Sequence, residues 1–248
     1  FSRYDMVQSY MILGGIPYYL GYMENELSLA QNVDRLFFAR NGVLKNEFDR
    51  LFESVFTNPE AIKEIVRLLY TRNAGFTRKE ITERLGVKDG GSLSKNLNAL
   101  LASDFIVKYV PFGLSKREEH YKLIDPFCMF YLKFVKGKDS LNNSFWLENL
   151  TAQTIISWRG FAFENVCFNH VRQIKKVLGI SGVNTRQSLW SKRADDTDGT
   201  QIDMIIERDD NIINMCEARF TGNEFAVDKG YHRTLINRQG LLAKELSS

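Results

Sequence analysis

Thr77-Arg78-Lys79-Glu80, Gly90-Gly91-Ser92, Phe105-Ile106-Val107-Lys108-Tyr109-Val110 and Tyr121-Lys122-Leu123-Ile124 follow one another in that order, and the order decides the fold of the middle of the chain. Thr77 with Glu80 has the spacing of a capping box, in which each side chain satisfies a free backbone N–H of the first helical turn. It opens a short helix, Ile81 to Leu85, that Gly86 stops. Ser92, after the two glycines, is expected to cap a third helix with Leu93, Leu97, Leu100 and Leu101 facing inward. Upstream, Asn58-Pro59 starts the first helix, since proline suits the first helical position, and Ile62, Ile65, Val66 and Leu69 carry it toward Gly75. Downstream, the β-prone run at 105–110 is turned by Pro111-Phe112-Gly113, carries a charged tip from Lys116 to Glu119, and returns at 121–124.

Three short helices and then a hairpin predict a winged helix-turn-helix over residues 59–125. In such a domain the third helix enters the major groove, while basic residues and the wing hold phosphates. Lys95, Asn96 and Asn98 are expected on the exposed side of that helix, Arg78 and Lys79 at the opening of the second, and Lys116 and Arg117 at the wing tip. The competing use of the domain is protein contact, because Asp104, Glu118 and Glu119 dilute the field a duplex needs.

On the N-terminal side, residues 1–58 read as helices. Met6, Tyr10 and Leu13 recur at helical spacing up to Gly14-Gly15-Ile16-Pro17, and Phe48, Leu51, Phe52 and Val55 form a later stripe. On the C-terminal side, 126–157 is helical and apolar, and a long helix is expected from Phe161 to about Leu178, with Phe163, Val166, Val171, Ile174 and Val177 inward. Strands are expected over 185–190, 201–207 and 212–220, the last two joined by the tight Arg208-Asp209-Asp210-Asn211 link, with a closing helix over 227–246.

Composition narrows the class. The chain has 248 residues, 44% hydrophobic and 25% charged, which is globular rather than disordered or fibrous. The formal charge of +3 is too small to argue for nucleic acid by itself. No apolar run is long enough to span a bilayer. Cys128, Cys167 and Cys216 are odd in number and scattered, giving neither a disulfide framework nor a zinc pattern, so a reducing, cytoplasmic setting is expected. The opening at Phe1 lacks the layout of a signal peptide and points to a trimmed chain or a piece of a longer one. These residues contain no GxxxxGK[ST] phosphate loop.

The expected hairpin at 201–220 carries the most informative chemistry. Asp203 interrupts one apolar strand and Glu217 its neighbour, and a desolvated carboxylate must be paired or bind a cation. With strand alternation, Glu217 and Arg219 share a face. Two carboxylates and a cation converging there would suit a divalent-metal phosphodiesterase, with hard oxygen ligands for Mg2+ and a positive group for developing charge. The histidines at 120, 170 and 232 stand alone and read as surface or packing residues, although His232 beside Lys229 and Arg233 has the chemistry to touch phosphate. Asp195, Asp196 and Asp198 read as a solvated acidic loop.

Asp203 with Glu217-Ala218-Arg219 resembles the D…ExK motif of the PD-(D/E)xK nuclease superfamily, and Glu164 is similar to the acid those domains carry on the preceding helix. Gly14-Gly15-Ile16-Pro17-Tyr18-Tyr19-Leu20 resembles the lid signature of a family of prokaryotic AAA-type ATPases, in which a winged helix and a nuclease-like domain of unassigned role follow the ATPase core. The resemblance implies an α+β, multidomain chain: a helical lid segment over 1–58, the winged helix over 59–125, and linker helices with a restriction-endonuclease-like domain over 126–248. It implies Asp203, Glu217 and the Ala218 carbonyl as Mg2+ ligands and Glu164, Asp203, Glu217 and Arg219 as catalytic residues. ATP would bind only in the absent N-terminal core. DNA is the expected partner, a protein partner is the further candidate, and no membrane is involved. Arg219 departs from the family's lysine. Arginine holds its charge and is a poor base, so the alternative is a catalytically degenerate fold that binds DNA or protein and regulates the ATPase.

Overall fold

The computed structural model describes residues 1–137, 142–192 and 200–246. The acidic loop Asp195, Asp196 and Asp198 lies outside them. The fold is mixed α+β, and the chain divides into two compact units, one of residues 1–108 with 121–162, the other of 109–120 with 163–248.

The first unit is mainly helical. It holds α1 (Arg3–Leu13), α2 (Pro17–Leu20), α3 (Leu29–Val33), a π-helical turn over Asp34–Phe38, α4 (Glu47–Val55), α5 (Pro59–Tyr70), α6 (Arg78–Leu85) and α7 (Gly91–Ala102). Strand β1 (Phe76–Thr77) precedes α6; β2 (Ile106–Tyr109) and β3 (His120–Leu123) follow α7 in a sheet of order β1-β3-β2. Helices α8 (Pro126–Phe134) and α9 (Phe145–Glu148) come next, then α10 (Gln153–Asn169), which belongs to this unit through Ala162. The helices at 126–162 thus group with the N-terminal helices, where the sequence placed them beside the last domain. The reason is aromatic packing. Phe130 meets Phe37, Trp146 and Trp158 at ring separations of 4.9, 5.2 and 5.4 Å, and Tyr19 meets Phe127 at 5.0 Å. Buried Asp34 caps α9, accepting from the N–H groups of Trp146 at 2.7 Å and Leu147 at 3.0 Å.

Local signals explain the starts and stops. Ser2 and Ser28 close capping boxes on α1 and α3. Thr77 does so on α6, accepting from the Glu80 N–H at 3.2 Å while Glu80 accepts from the Thr77 N–H at 2.8 Å. Arg72 joins the same carboxylate at 2.7 Å and stacks over Phe76 at 3.9 Å. These partners, the Arg72 guanidinium foremost, hold the Glu80 carboxyl down at about 2. Gly86 ends α6 in the left-handed region. Gly75 is required by space as well as by its φ of +71°, since a β-carbon there would lie 2.0 Å from the Tyr121 carbonyl oxygen. Of the series Met6, Tyr10 and Leu13, Leu13 is buried beside Met11 and Ile12, while Met6 is 56% exposed. One local expectation is corrected. The cap of α7 is Gly90, not Ser92, because Arg78 binds the Gly90 carbonyl and the Ser94 hydroxyl and fixes the helix start two residues earlier.

The second unit contains the end of α10, α11 (Val171–Val177), the antiparallel meander β4 (Thr185–Lys192), β5 (Thr200–Arg208) and β6 (Ile213–Cys216), and α12 (Lys229–Leu246). The expected single helix at 161–178 is two, broken at His170, whose backbone N–H reaches the Val166 and Cys167 carbonyls. Val177 is 88% exposed because the second piece turns away from the stripe that placed it inward. β5 is central and apolar, with Ile202, Met204, Ile205 and Ile206 buried. Phe112 from the 109–120 segment packs into the core with Trp190, Ile202, Ile205 and Leu242, and its N–H donates to the Leu189 carbonyl at 3.0 Å.

Candidate functional site

The β5–β6 register pairs Met204 with Cys216 and Glu207 with Ile213, which sets Asp203 beside the residues that leave β6. β6 ends at Cys216, so Glu217, Ala218 and Arg219 follow the strand rather than lie in it, and strand alternation does not govern where Glu217 and Arg219 point. The cause is visible in the hydrogen bonds. The Ala218 N–H donates to the Asp203 Oδ2 at 2.9 Å, so the carboxylate takes the position that a strand carbonyl would have filled.

Glu217 is nearly enclosed, with 9% of its side chain exposed, and its Oε2 is ion-paired with Arg238 of α12. Its Oε1 is buried with no hydrogen-bond partner. Burial pushes the Glu217 carboxyl above the usual range and the field of Asp203 adds to this, outweighing the pull of Arg238 and Arg219. Asp203 and Glu217 therefore feel each other, and the structure brings them to one place. Arg219 is exposed, its Nε donates to the Tyr231 hydroxyl at 3.1 Å, and its guanidinium lies 4.8 Å from the Tyr231 ring. Glu164 approaches from α10 one turn before Cys167. Burial first, then Asp203, Cys216 and Glu164, push the Cys167 thiol up to about 11. That thiol is no ready nucleophile, because the thiolate is the reactive form.

Asp203 and Glu217 each have one carboxylate oxygen engaged, and the Glu217 Oε1 is left over. Asp203 holds an N–H, Glu217 holds a guanidinium, and among the described residues no group of three His, Cys, Asp or Glu side chains could hold a metal ion.

Arg238 and Tyr231 were missed by sequence reasoning, yet the signal was present. Tyr231, Leu235, Arg238 and Leu242 fall at helical spacing on one stripe of α12, and all are at least partly buried. An arginine on such a stripe requires an acid partner.

The residues expected to meet DNA separate into two groups. Lys79, Lys95, Asn98, Lys116 and Arg117 are exposed, the last two in a 3-10 turn (Lys116–Glu118) capped by Ser115. Asn96 is corrected: it is 8% exposed, because it falls three residues after Leu93 and shares the inward face with Leu97 and Leu100. Arg78 is spent internally, donating to Asp89 at 2.7 Å and to Ser94 at 2.8 Å, which ties the start of α6 to the start of α7.

No protein-family model, no curated protein and no solved structure matches the chain. No helix among the described residues is long and apolar enough to cross a membrane.

Proposed function

We propose that the chain is the DNA-engaging C-terminal part of an AAA-type ATPase, in which a winged helix docks on duplex and a nuclease-like domain binds without cutting. The observation that carries the non-cleaving reading is the Glu217–Arg238 ion pair, with Asp203 bonded to the Ala218 N–H. The acids that a phosphodiesterase would offer to Mg2+ instead neutralise a helix side chain and fix a turn. The winged-helix reading is supported by the order α5, β1, α6, α7, β2, β3 with the strands in one sheet of order β1-β3-β2, and by exposed Lys79, Lys95 and Asn98. The ATPase relationship rests on the Gly14–Leu20 signature.

Metal-dependent cleavage is the second reading, favoured by the buried Glu217 Oε1 that has no partner. A plasmid-nicking assay with Mg2+ or Mn2+ separates the two. The unaltered protein is expected to bind duplex without nicking it. Metal-dependent nicking that Asp203→Ala abolishes would establish the second reading and remove the first.

A further inference from the structure

We infer that a hollow beside the start of α12 seats a backbone phosphodiester of DNA; the inference rests on the proposed DNA reading and names a second contact surface for it. Val227, Asp228, Lys229, His232 and Arg233 line a space of about 470 Å3. Lys229, His232 and Arg233 are exposed, and their side chains have no ion-pair or hydrogen-bond partner among the described residues. Elsewhere in the same unit Arg186 pairs with Glu207, Arg208 with Asp210 and Arg238 with Glu217. The one acid in the hollow is committed, since the Asp228 Oδ1 accepts the Tyr231 N–H at 2.7 Å.

His232 and Arg233 fall three and four residues after Lys229, so each neighbours it on the helix surface, where the like charges of Lys229 and Arg233 repel. Asp228 offsets part of that repulsion, and an anion seated between Lys229 and Arg233 relieves it further. Tyr231, in the same turn, holds Arg219, so a further cation is anchored to this end of the helix. A polyanion matches this set because each neutralised phosphate also releases counterions.

The test is fluorescence anisotropy of a short labelled duplex between about 50 and 200 mM KCl, using the whole chain. Loss of that one phosphate contact in the double variant Lys229→Ala/Arg233→Ala lowers the log–log salt slope by about 0.9. Over that fourfold salt range its affinity therefore falls about 3.5-fold less than that of the unaltered protein. Both side chains are exposed and bond to nothing described, so circular dichroism is expected to be unchanged. The charge-conserving Lys229→Arg/Arg233→Lys retains the slope. If Lys79→Ala/Lys95→Ala lowers the slope and the α12 variant does not, this inference falls and the winged-helix reading stands. If the unaltered protein binds no duplex, both fall.

Discussion

Replacing Arg238 with alanine leaves a carboxylate walled in without its cation. Breaking a buried pair from one side costs about 3–5 kcal/mol where both charges are fully enclosed. Here Glu217 keeps 9% of its side-chain surface and Arg238 18%, so water reaches the guanidinium side. The cost therefore falls below that range, at about 2–3 kcal/mol. The pH dependence has a definite sign. The Glu217 carboxyl already sits above the usual range, chiefly through burial, and Arg238 is the main influence pulling it down. Without Arg238 it rises further. A carboxyl raised in the folded state penalises folding when ionised, and the penalty shrinks as pH falls through its folded value. Arg238→Ala is therefore expected to cost more at pH 8 than at pH 5. Hydrogen exchange of the β5 and β6 amides reads the local opening free energy without assuming that both units unfold together. Adding Glu217→Gln to Arg238→Ala restores most of the loss. A loss under about 0.5 kcal/mol, or one that grows as pH falls, would refute the buried-pair argument.

Two further outcomes follow from the first unit. Gly75→Ala is expected to destabilise by about 3 kcal/mol, because its β-carbon would lie 2.0 Å from a backbone oxygen; an unchanged melting temperature would contradict this. Glu80, with its carboxyl near 2 against an ordinary 4.5, contributes stability above the ordinary value that is lost as pH falls toward 2. After discounting for exposure of this pair, Glu80→Gln removes about 1–2 kcal/mol at neutral pH and flattens the acid limb of unfolding.

What the sequence discloses is mostly what is decided within a few residues. The Thr77–Glu80 box, the proline at the start of α5 and the Gly86 stop each depend on neighbours one turn away, and each stands as read. The β5–β6 hairpin is legible for the same reason, through its tight link. The misreadings are long-range or one step off in phase. Asn96 reads as outward beside Lys95 and Asn98, although its three-residue offset from Leu93 places it inward. The β-prone residues up to Phe220 read as strand, but the Asp203 carboxylate captures the Ala218 N–H and β6 ends at Cys216. Of the candidate site, the meeting of Asp203 and Glu217 was legible. The arginine that answers Glu217 arrives from a helix well beyond the motif, and no motif spacing encodes that.

Phe112 gives the chain an unusual indivisibility. The second unit draws one of its core side chains from a short excursion between two strands, so its polypeptide is not contiguous. A fragment beginning at 126 would fold around an empty place of one phenyl ring, a deficit of about 3–5 kcal/mol. Shortening that excursion, ordinarily the safest edit in a hairpin, would hollow out a core that the neighbouring strands never enclose. Natural variants are therefore expected to keep an aromatic residue at 112 even where the charged tip beside it drifts.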